Sequence, residues 1–245
     1  MARNKTYIYG KNSIYERLKV NPKSIRSVYV QENFNAPHII QLLKTNSIAY
    51  RVVREKELLR IKRADRLQGI VAEVTSFEYT PFESILNPDK INRPCVLFLD
   101  DINDPHNLGS ILRITACFGG FAVVIPGHSS CQVNDTVIHV ASGGENFTPV
   151  ALVNNLLNAI TKAKKAGYWV GASVIDGGHD IANFKFPAPF ALVLGSEGKG
   201  IKPAILKHID LLVTLNMKGE PLSLNVAMAG AIFCHEISKQ AESAK

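Results

Sequence analysis

The chain is poor in cysteine, and its four cysteines do not pair by spacing. Cys95, Cys117, Cys131 and Cys234 form no CxxC element, which removes the zinc-ribbon and thioredoxin-like readings. Their neighbours are mostly apolar or small, so free, largely buried thiols in a reducing cytosol are expected. Long hydrophobic runs are missing as well. Stretches such as 191–194 are far too short to span a membrane. No apolar stretch of the kind found in a secretory signal follows Met1-Ala2-Arg3-Asn4-Lys5. A cytoplasmic protein without a membrane partner is therefore expected. There is no internal repeat and no low-complexity tract. The glycine-rich segment at 195–200 lacks the spacing of a P-loop and of the dinucleotide fingerprint, which argues against a nucleotide-binding oxidoreductase. His235-Glu236 has no second histidine three residues further on, so it is not a zinc-protease helix.

What is present is ordinary globular material carrying an excess of positive charge. Hydrophobic residues make up 46% of the 245 residues and charged residues 20%, enough for a sizeable core. The formal net charge is +7, which favours a polyanionic partner, with nucleic acid first among them. The charge is uneven: of 28 lysines and arginines, 15 fall within residues 1–66. That segment is the expected electrostatic footprint for RNA.

The periodicities predict helices over 12–19, 37–45 and 55–61 and strands over 27–30, 49–53 and 70–74, a small α/β unit. Residues 77–93, rich in proline and asparagine, read as a linker with one short helix at 82–86. A second α/β unit begins with a strand at 95–99. A helix over 105–118 follows, with Asp104 as N-cap, Pro105 in its first turn and Gly119-Gly120 at its end. Strands are predicted at 121–125, 168–173, 190–194 and 211–215. Helices are predicted at 150–166 and about 224–238. Short apolar strands alternating with helices indicate a mostly parallel sheet covered on both faces.

Three segments stand where strands end, the place at which ligands gather in open α/β sheets. The first is Asn103-Asp104-Pro105-His106-Asn107-Leu108-Gly109-Ser110-Ile111-Leu112-Arg113. Asn107 and Arg113 lie roughly 240° apart on a regular helix and cannot share a face. Both reach one site only if Asn107 sits in the first turn and Arg113 extends along the helix. The bland reading is an Asp-Pro helix start with a surface arginine, with His106 shaping the turn. The second is Leu194-Gly195-Ser196-Glu197-Gly198-Lys199-Gly200-Ile201, whose glycines permit a sharp turn and close approach to a ligand. The third runs from Leu215-Asn216-Met217-Lys218-Gly219 through Glu220-Pro221-Leu222-Ser223-Leu224-Asn225 into a helix, with Ser223 or Asn225 as a possible cap.

In this order the three segments resemble the SpoU (TrmH-like) branch of the SPOUT methyltransferase superfamily, closest to its bacterial 23S rRNA guanosine-2′-O-methyltransferase subgroup. The resemblance covers nearly the whole chain. Tyr7-Ile8-Tyr9-Gly10-Lys11-Asn12-Ser13 and Leu67-Gln68-Gly69-Ile70-Val71-Ala72 resemble the ends of that subgroup's N-terminal RNA-binding domain. It implies an N-terminal substrate-binding domain at 1–76, a linker at 77–93 and a catalytic domain at 94–245 whose chain threads a deep trefoil knot. It also implies a homodimer with each active site near the subunit interface. Gly195, Leu215 and Leu224 match positions that hold S-adenosylmethionine. Asn107, Arg113, Glu197, Ser223 and Asn225 match polar active-site positions. The chain departs from the family pattern at Asn216, at Pro221 and at Ser142-Gly143-Gly144-Glu145.

The implied reaction is transfer of the sulfonium methyl to a ribose 2′-oxygen, and the sulfonium already activates that methyl, so no metal is called for. Arg113 keeps its proton at ordinary pH and is a poor base. The expectation is that it holds a phosphate and stabilises the developing oxyanion, while Asn107, Ser223 and Asn225 orient the ribose and Glu197 braces Arg113 or Asn107. Two alternatives stay open: a tRNA 2′-O-methyltransferase, and a non-catalytic RNA-binding or ribosome-assembly protein.

Overall fold

The computed structural model describes residues 6–64, 66–87, 95–219 and 222–243. The N-terminal part is β1 (Thr6–Tyr9), α1 (Lys11–Val20), β2 (Ile25–Gln31), α2 (Pro37–Thr45), β3 (Tyr50–Val53), α3 (Glu55–Ile61) and β4 (Ile70–Val74). These strands form one sheet in the order β1-β4-β2-β3, with β2 and β3 parallel and β4 antiparallel to both its neighbours. Ile8, Ile14, Leu18, Val28, Ile39, Leu43 and Ile70 fill its core. The helix at 82–86 is present as α4 (Phe82–Leu86). Of the expected linker, Phe77 and Tyr79 pack against the core of the second part and Thr80 N donates to Val150 O at 2.8 Å, while 88–93 lie outside the described residues.

The second part contains β5 (Cys95–Asp100), α5 (Pro105–Phe118), β6 (Phe121–Pro126), α6 (Asp135–Ala141), β7 (Val150–Val153), α7 (Leu156–Lys165), β8 (Trp169–Ser173), β9 (His179–Asp180), β10 (Phe190–Gly195), α8 (Pro203–Leu206), β11 (Leu211–Thr214) and α9 (Val226–Ser243). Seven strands form a sheet in the order β7-β6-β5-β10-β8-β11-β9, and every pairing in it is parallel. The side chains of β5 show why its strands read as unbroken apolar runs. Cys95, Leu97 and Leu99 enter the core on one face, Val96 and Phe98 that on the other. Alternation places successive residues on opposite faces, and here both faces are buried.

Three expectations are corrected. The helix predicted at 150–166 is a strand, β7, followed by α7. Asn155 breaks it, its side chain accepting the Asn158 backbone N–H at 2.9 Å as an N-cap. The last helix starts at Val226 rather than Leu224, because Asn225 is its cap. The thiols are less buried than expected: Cys95 and Cys234 are enclosed, Cys131 is half-buried and Cys117 is exposed. Burial pushes the Cys234 thiol up to about 12. Strand β1 and helix α6 were not foreseen, and α6 ties the two parts together. Ile138 of α6 inserts into the N-terminal core. The His139 ring stacks on Tyr9 with centroids 4.1 Å apart. Lys62 Nζ meets Asp135 Oδ2 at 2.6 Å.

A buried ion pair completes this junction. Arg17 of α1 reaches Glu145 Oε1 at 3.1 Å, with the glutamate side chain fully enclosed. Burial raises the Glu145 carboxyl pKa, and the Arg17 charge only partly opposes the rise. Removing one partner leaves a lone buried charge. Arg17→Ala is therefore expected to cost about 3–5 kcal/mol in urea denaturation, and Arg17→Met with Glu145→Leu clearly less. Equal losses in the two proteins would refute this account. A carboxyl whose pKa rises on folding contributes stability that is present below its unfolded value and lost as pH rises through the folded one. Glu145→Gln should remove that part of the pH dependence of unfolding.

Candidate active site

The three chemically suggestive segments converge at the carboxyl ends of the parallel strands. Asn107 stands in the first turn of α5, where Asp104 caps the helix by accepting the His106 N–H at 2.8 Å. Glu197 lies in the loop after β10. Asn225 caps α9, its Oδ1 accepting the Ala227 N–H at 2.9 Å. That bond orients the Asn225 amide, so its Nδ2 must face the other way, and it donates to Asn107 Oδ1 at 2.9 Å and to Glu197 Oε1. Asn107 in turn donates from Nδ2 to the same Oε1 at 3.0 Å. One helix cap thus sets the orientation of two amides and one carboxylate. Among the described residues Glu197 Oε2 has no partner, which leaves an acceptor free for a ligand.

The loop bearing Glu197 is held from both ends. Ser196 and Gly200 exchange backbone hydrogen bonds at 3.1 and 2.9 Å. Asp100, buried at the end of β5, accepts from Lys202 N at 2.8 Å and from Lys202 Nζ at 2.9 Å. A Cβ at Gly195 would come within 2.3 Å of the Gly200 carbonyl carbon, so only glycine lets the loop close back on the strand.

Two cavities meet at this loop and share Ser196 and Glu197. The first, about 240 Å³, is lined by Gly195, Leu215, Met217, Ser223, Leu224 and Phe233, and by Ser173, Val174 and Ile175 from the end of β8. The second, about 200 Å³, is lined by Asp101, Asn103, Asp104, Asn107 and Lys199. The buried Ser196 Oγ has no hydrogen-bond partner among the described residues. An apolar cavity with a few polar groups and an orphaned hydroxyl fits the adenosine and amino-acid parts of S-adenosylmethionine.

The structure therefore brings together Asn107, Glu197 and Asn225, and lines one cavity with Gly195, Leu215, Ser223 and Leu224. It does not bring Arg113 to them. Arg113 is exposed on α5 and lines neither cavity. Its backbone abuts Gly144, where a Cβ would fall 2.8 Å from the Arg113 Cα. Glu197 braces Asn107 rather than Arg113. Asn216 is exposed and lines neither cavity, and Pro221 lies outside the described residues. Sequence reading missed Ser196, Asp100, Lys202 and the β8 end. Ser196 stood in plain sight inside the second segment, and Ser173–Ile175 follow from the rule that parallel strands deliver ligand contacts at their carboxyl ends.

Residues 94–235 match the SpoU rRNA Methylase family, and residues 7–80 match the family described as RNA 2′-O ribose methyltransferase substrate binding. A putative TrmH family tRNA/rRNA methyltransferase from Bacillus subtilis is 32% identical, covering 98% of each chain. A 23S rRNA (guanosine-2′-O-)-methyltransferase from Nitrosomonas europaea is 32% identical over 96% of this chain and 91% of its own. In three dimensions the chain is similar to a SpoU methyltransferase from Streptomyces viridochromogenes solved with AdoMet, with a TM-score of 0.79 at 22% identity over 98% of this chain and 91% of that one.

Two substitutions separate the cap from the site. Asn225→Ser keeps a helix-capping oxygen but loses the amide donor, whereas Asn225→Ala loses both. Thermal unfolding should show the alanine variant about 1 kcal/mol less stable than the serine variant, while methyl transfer falls in both. Retained transfer in Asn225→Ser would reduce this residue to a cap. Gly195→Ala should weaken S-adenosylmethionine binding, read by calorimetry, by roughly tenfold or more through loop distortion of about 1–3 kcal/mol.

Proposed function

The chain belongs to the SpoU rRNA Methylase family and is by that membership an S-adenosylmethionine-dependent RNA 2′-O-methyltransferase; we propose that the ribose it methylates is that of a guanosine in 23S ribosomal RNA. The observation that carries the activity is the hydrogen-bonded set Asn107, Glu197 and Asn225, poised between two joined cavities. The near full-length similarity to a relative named for 23S rRNA supports the substrate. In this reading residues 1–76 bind RNA, 77–93 link, and 94–245 form the catalytic domain, whose chain threads a deep trefoil knot. No described helix is long and apolar enough to cross a membrane, and the protein acts in the cytoplasm.

When bound, S-adenosylmethionine supplies a methyl group activated by its sulfonium. Gly195, Leu215 and Leu224 would hold it, and the unpartnered Ser196 hydroxyl offers it a hydrogen-bonding group. Asn107 and Asn225 orient the Glu197 carboxylate, whose free Oε2 accepts from the ribose hydroxyl and fixes its approach. Ser223 lines the same cavity and orients the ribose. Arg113 supplies the positive charge that stabilises the developing 2′-oxyanion and grips the adjacent phosphate. Because it stands outside the cavities of its own chain, it serves the site of a second copy. The exposed apolar side chains Phe118 on α5 and Met228 and Ile232 on α9, 36%, 62% and 44% exposed, support a homodimer through this surface. His235 adds a ring beside Phe118.

Arg113→Ala is expected to fold, bind RNA and lose methyl transfer to an unmodified 23S rRNA transcript. Arg113→Lys is impaired too, since the planar fork is lost. Mixing Arg113→Ala with Asn107→Ala subunits should restore part of the activity, because one site of the mixed dimer keeps both groups. No restoration in a proven mixed dimer would place Arg113 in its own chain's site. Methylation of tRNA but not of the transcript would move the substrate to tRNA. Absence of cofactor binding would leave a non-catalytic RNA-binding protein.

A further inference from the structure

The N-terminal part carries a cavity of about 430 Å³ remote from the strand ends just described. Three pieces of chain build it: the loop after β2 (Gln31, Asn33, Phe34, Asn35), the turn before β4 (Arg66, Leu67, Gln68, Gly69) and one side of α3 (Glu55, Leu58, Leu59). The frame is pinned by backbone bonds. Gln31 N donates to Gly69 O at 2.8 Å, and Phe34 N to Gln31 O at 2.9 Å. Gln68 and Gly69 both have positive φ, 54° and 74°. The unusual backbone at Gln68, a non-glycine residue, presents its side chain to the start of α1, where Oε1 accepts from Lys11 N at 2.8 Å.

The chemistry of the walls is specific. Phe34 is half-buried, and its ring is backed by Gly69, where a Cβ would fall 3.3 Å from the ring edge. The Lys11 ammonium lies 5.5 Å from the ring centroid and donates to Asn35 O at 3.0 Å. Among the described residues the side-chain amides of Gln31 and Asn33, and Gln68 Nε2, have no hydrogen-bond partner. Arg66 is exposed at the rim. An aromatic plane, unpaired amides offering donors and acceptors, and rim cations are the three things that hold an unstacked base of single-stranded RNA: a stacking surface, an edge reader and phosphate contacts.

We propose that this cavity receives one unpaired nucleobase of the substrate RNA, stacked on Phe34 and read at its edge by Gln31, Asn33 and Gln68. The inference rests on the reading above that the protein acts on RNA. It adds a link to the catalytic part. The Gly10 that opens α1 beside Lys11 lies against the His139 ring of α6, and α6 packs on α5 at Gly109, where a Cβ would meet Val137 O at 2.7 Å. A base held here is therefore at a set distance from Asn107.

The test uses the full chain and a fluorescein-labelled, unpaired oligoribonucleotide containing all four bases, compared with the same strand annealed to its complement. Fluorescence anisotropy should show the single strand bound more tightly than the duplex. Phe34→Leu, which keeps apolar bulk but loses the ring, should weaken single-strand binding about tenfold, and Phe34→Tyr should restore it. Asn33→Ala, at an exposed position whose side chain has no hydrogen bond among the described residues, should weaken it several-fold and guards against a folding defect at Phe34. Equal binding of the two RNA forms overturns the proposal, as does wild-type binding by both Phe34→Leu and Asn33→Ala. Methyl transfer to the 23S transcript is read in parallel. If wild-type protein leaves the transcript unmethylated yet Phe34→Leu and Phe34→Tyr differ on the oligonucleotide, the rRNA reading fails and the base pocket stands. If transfer occurs and the variants match wild type, the pocket fails alone.

Discussion

A carboxylate set between two side-chain amides ties the start of α5 to two later segments, 90 and 118 residues further along the chain. Glu197 accepts from Asn107 and Asn225, and Asn225 can do this only because its own oxygen is committed to the first turn of α9. The helix cap removes the freedom an asparagine amide would otherwise have to flip. The rest of the site follows from that restriction. The loop at 196–200 is held over the first cavity, the start of α5 closes the second, and a free carboxylate oxygen remains where they meet.

Those stretches meet because the sheet is parallel throughout. Each strand ends on the same side, so the loops after β5, β8 and β10 and the approach to α9 share one edge. Both faces of the sheet are buried, and Asp100 pins Lys202 at that edge. Helix α6 joins this part to the N-terminal sheet. It lends Ile138 to that core and lies against α5 at a point where only glycine fits. The N-terminal and C-terminal parts are thus joined by side chains in contact, the enclosed Arg17–Glu145 pair among them.

Much of this was legible in the chain. Helices at 37–45, 55–61, 82–86 and 105–118 and the strand at 70–74 agree with the structure; Pro37, Pro81 and Pro105 mark three of the helix starts, and Asp104 and Gly119 bound the longest. The strand at 150–153 was not, since Val-Ala-Leu-Val followed by a helical pattern has no local signal separating the two until Asn155 acts as a cap. Strand β1 escaped for the opposite reason: its four residues join a sheet only through pairing with β4, a partner more than sixty residues away.

The sequence by itself determined the chemistry available: which side chains stand at strand ends, in what order, and with what charge beside them. It offered Asn107, Glu197 and Asn225 as candidate site residues through their resemblance to the family's polar active-site positions, while spacing alone left each a structural role such as the Asn225 helix cap. Tertiary structure decided how they are used. It turned Glu197 toward Asn107, left Arg113 facing outward on α5, and made Ser196 an orphan in the cavity. Helical spacing forbids Asn107 and Arg113 from sharing a face, but only packing on both flanks of α5 settles which of the two points inward.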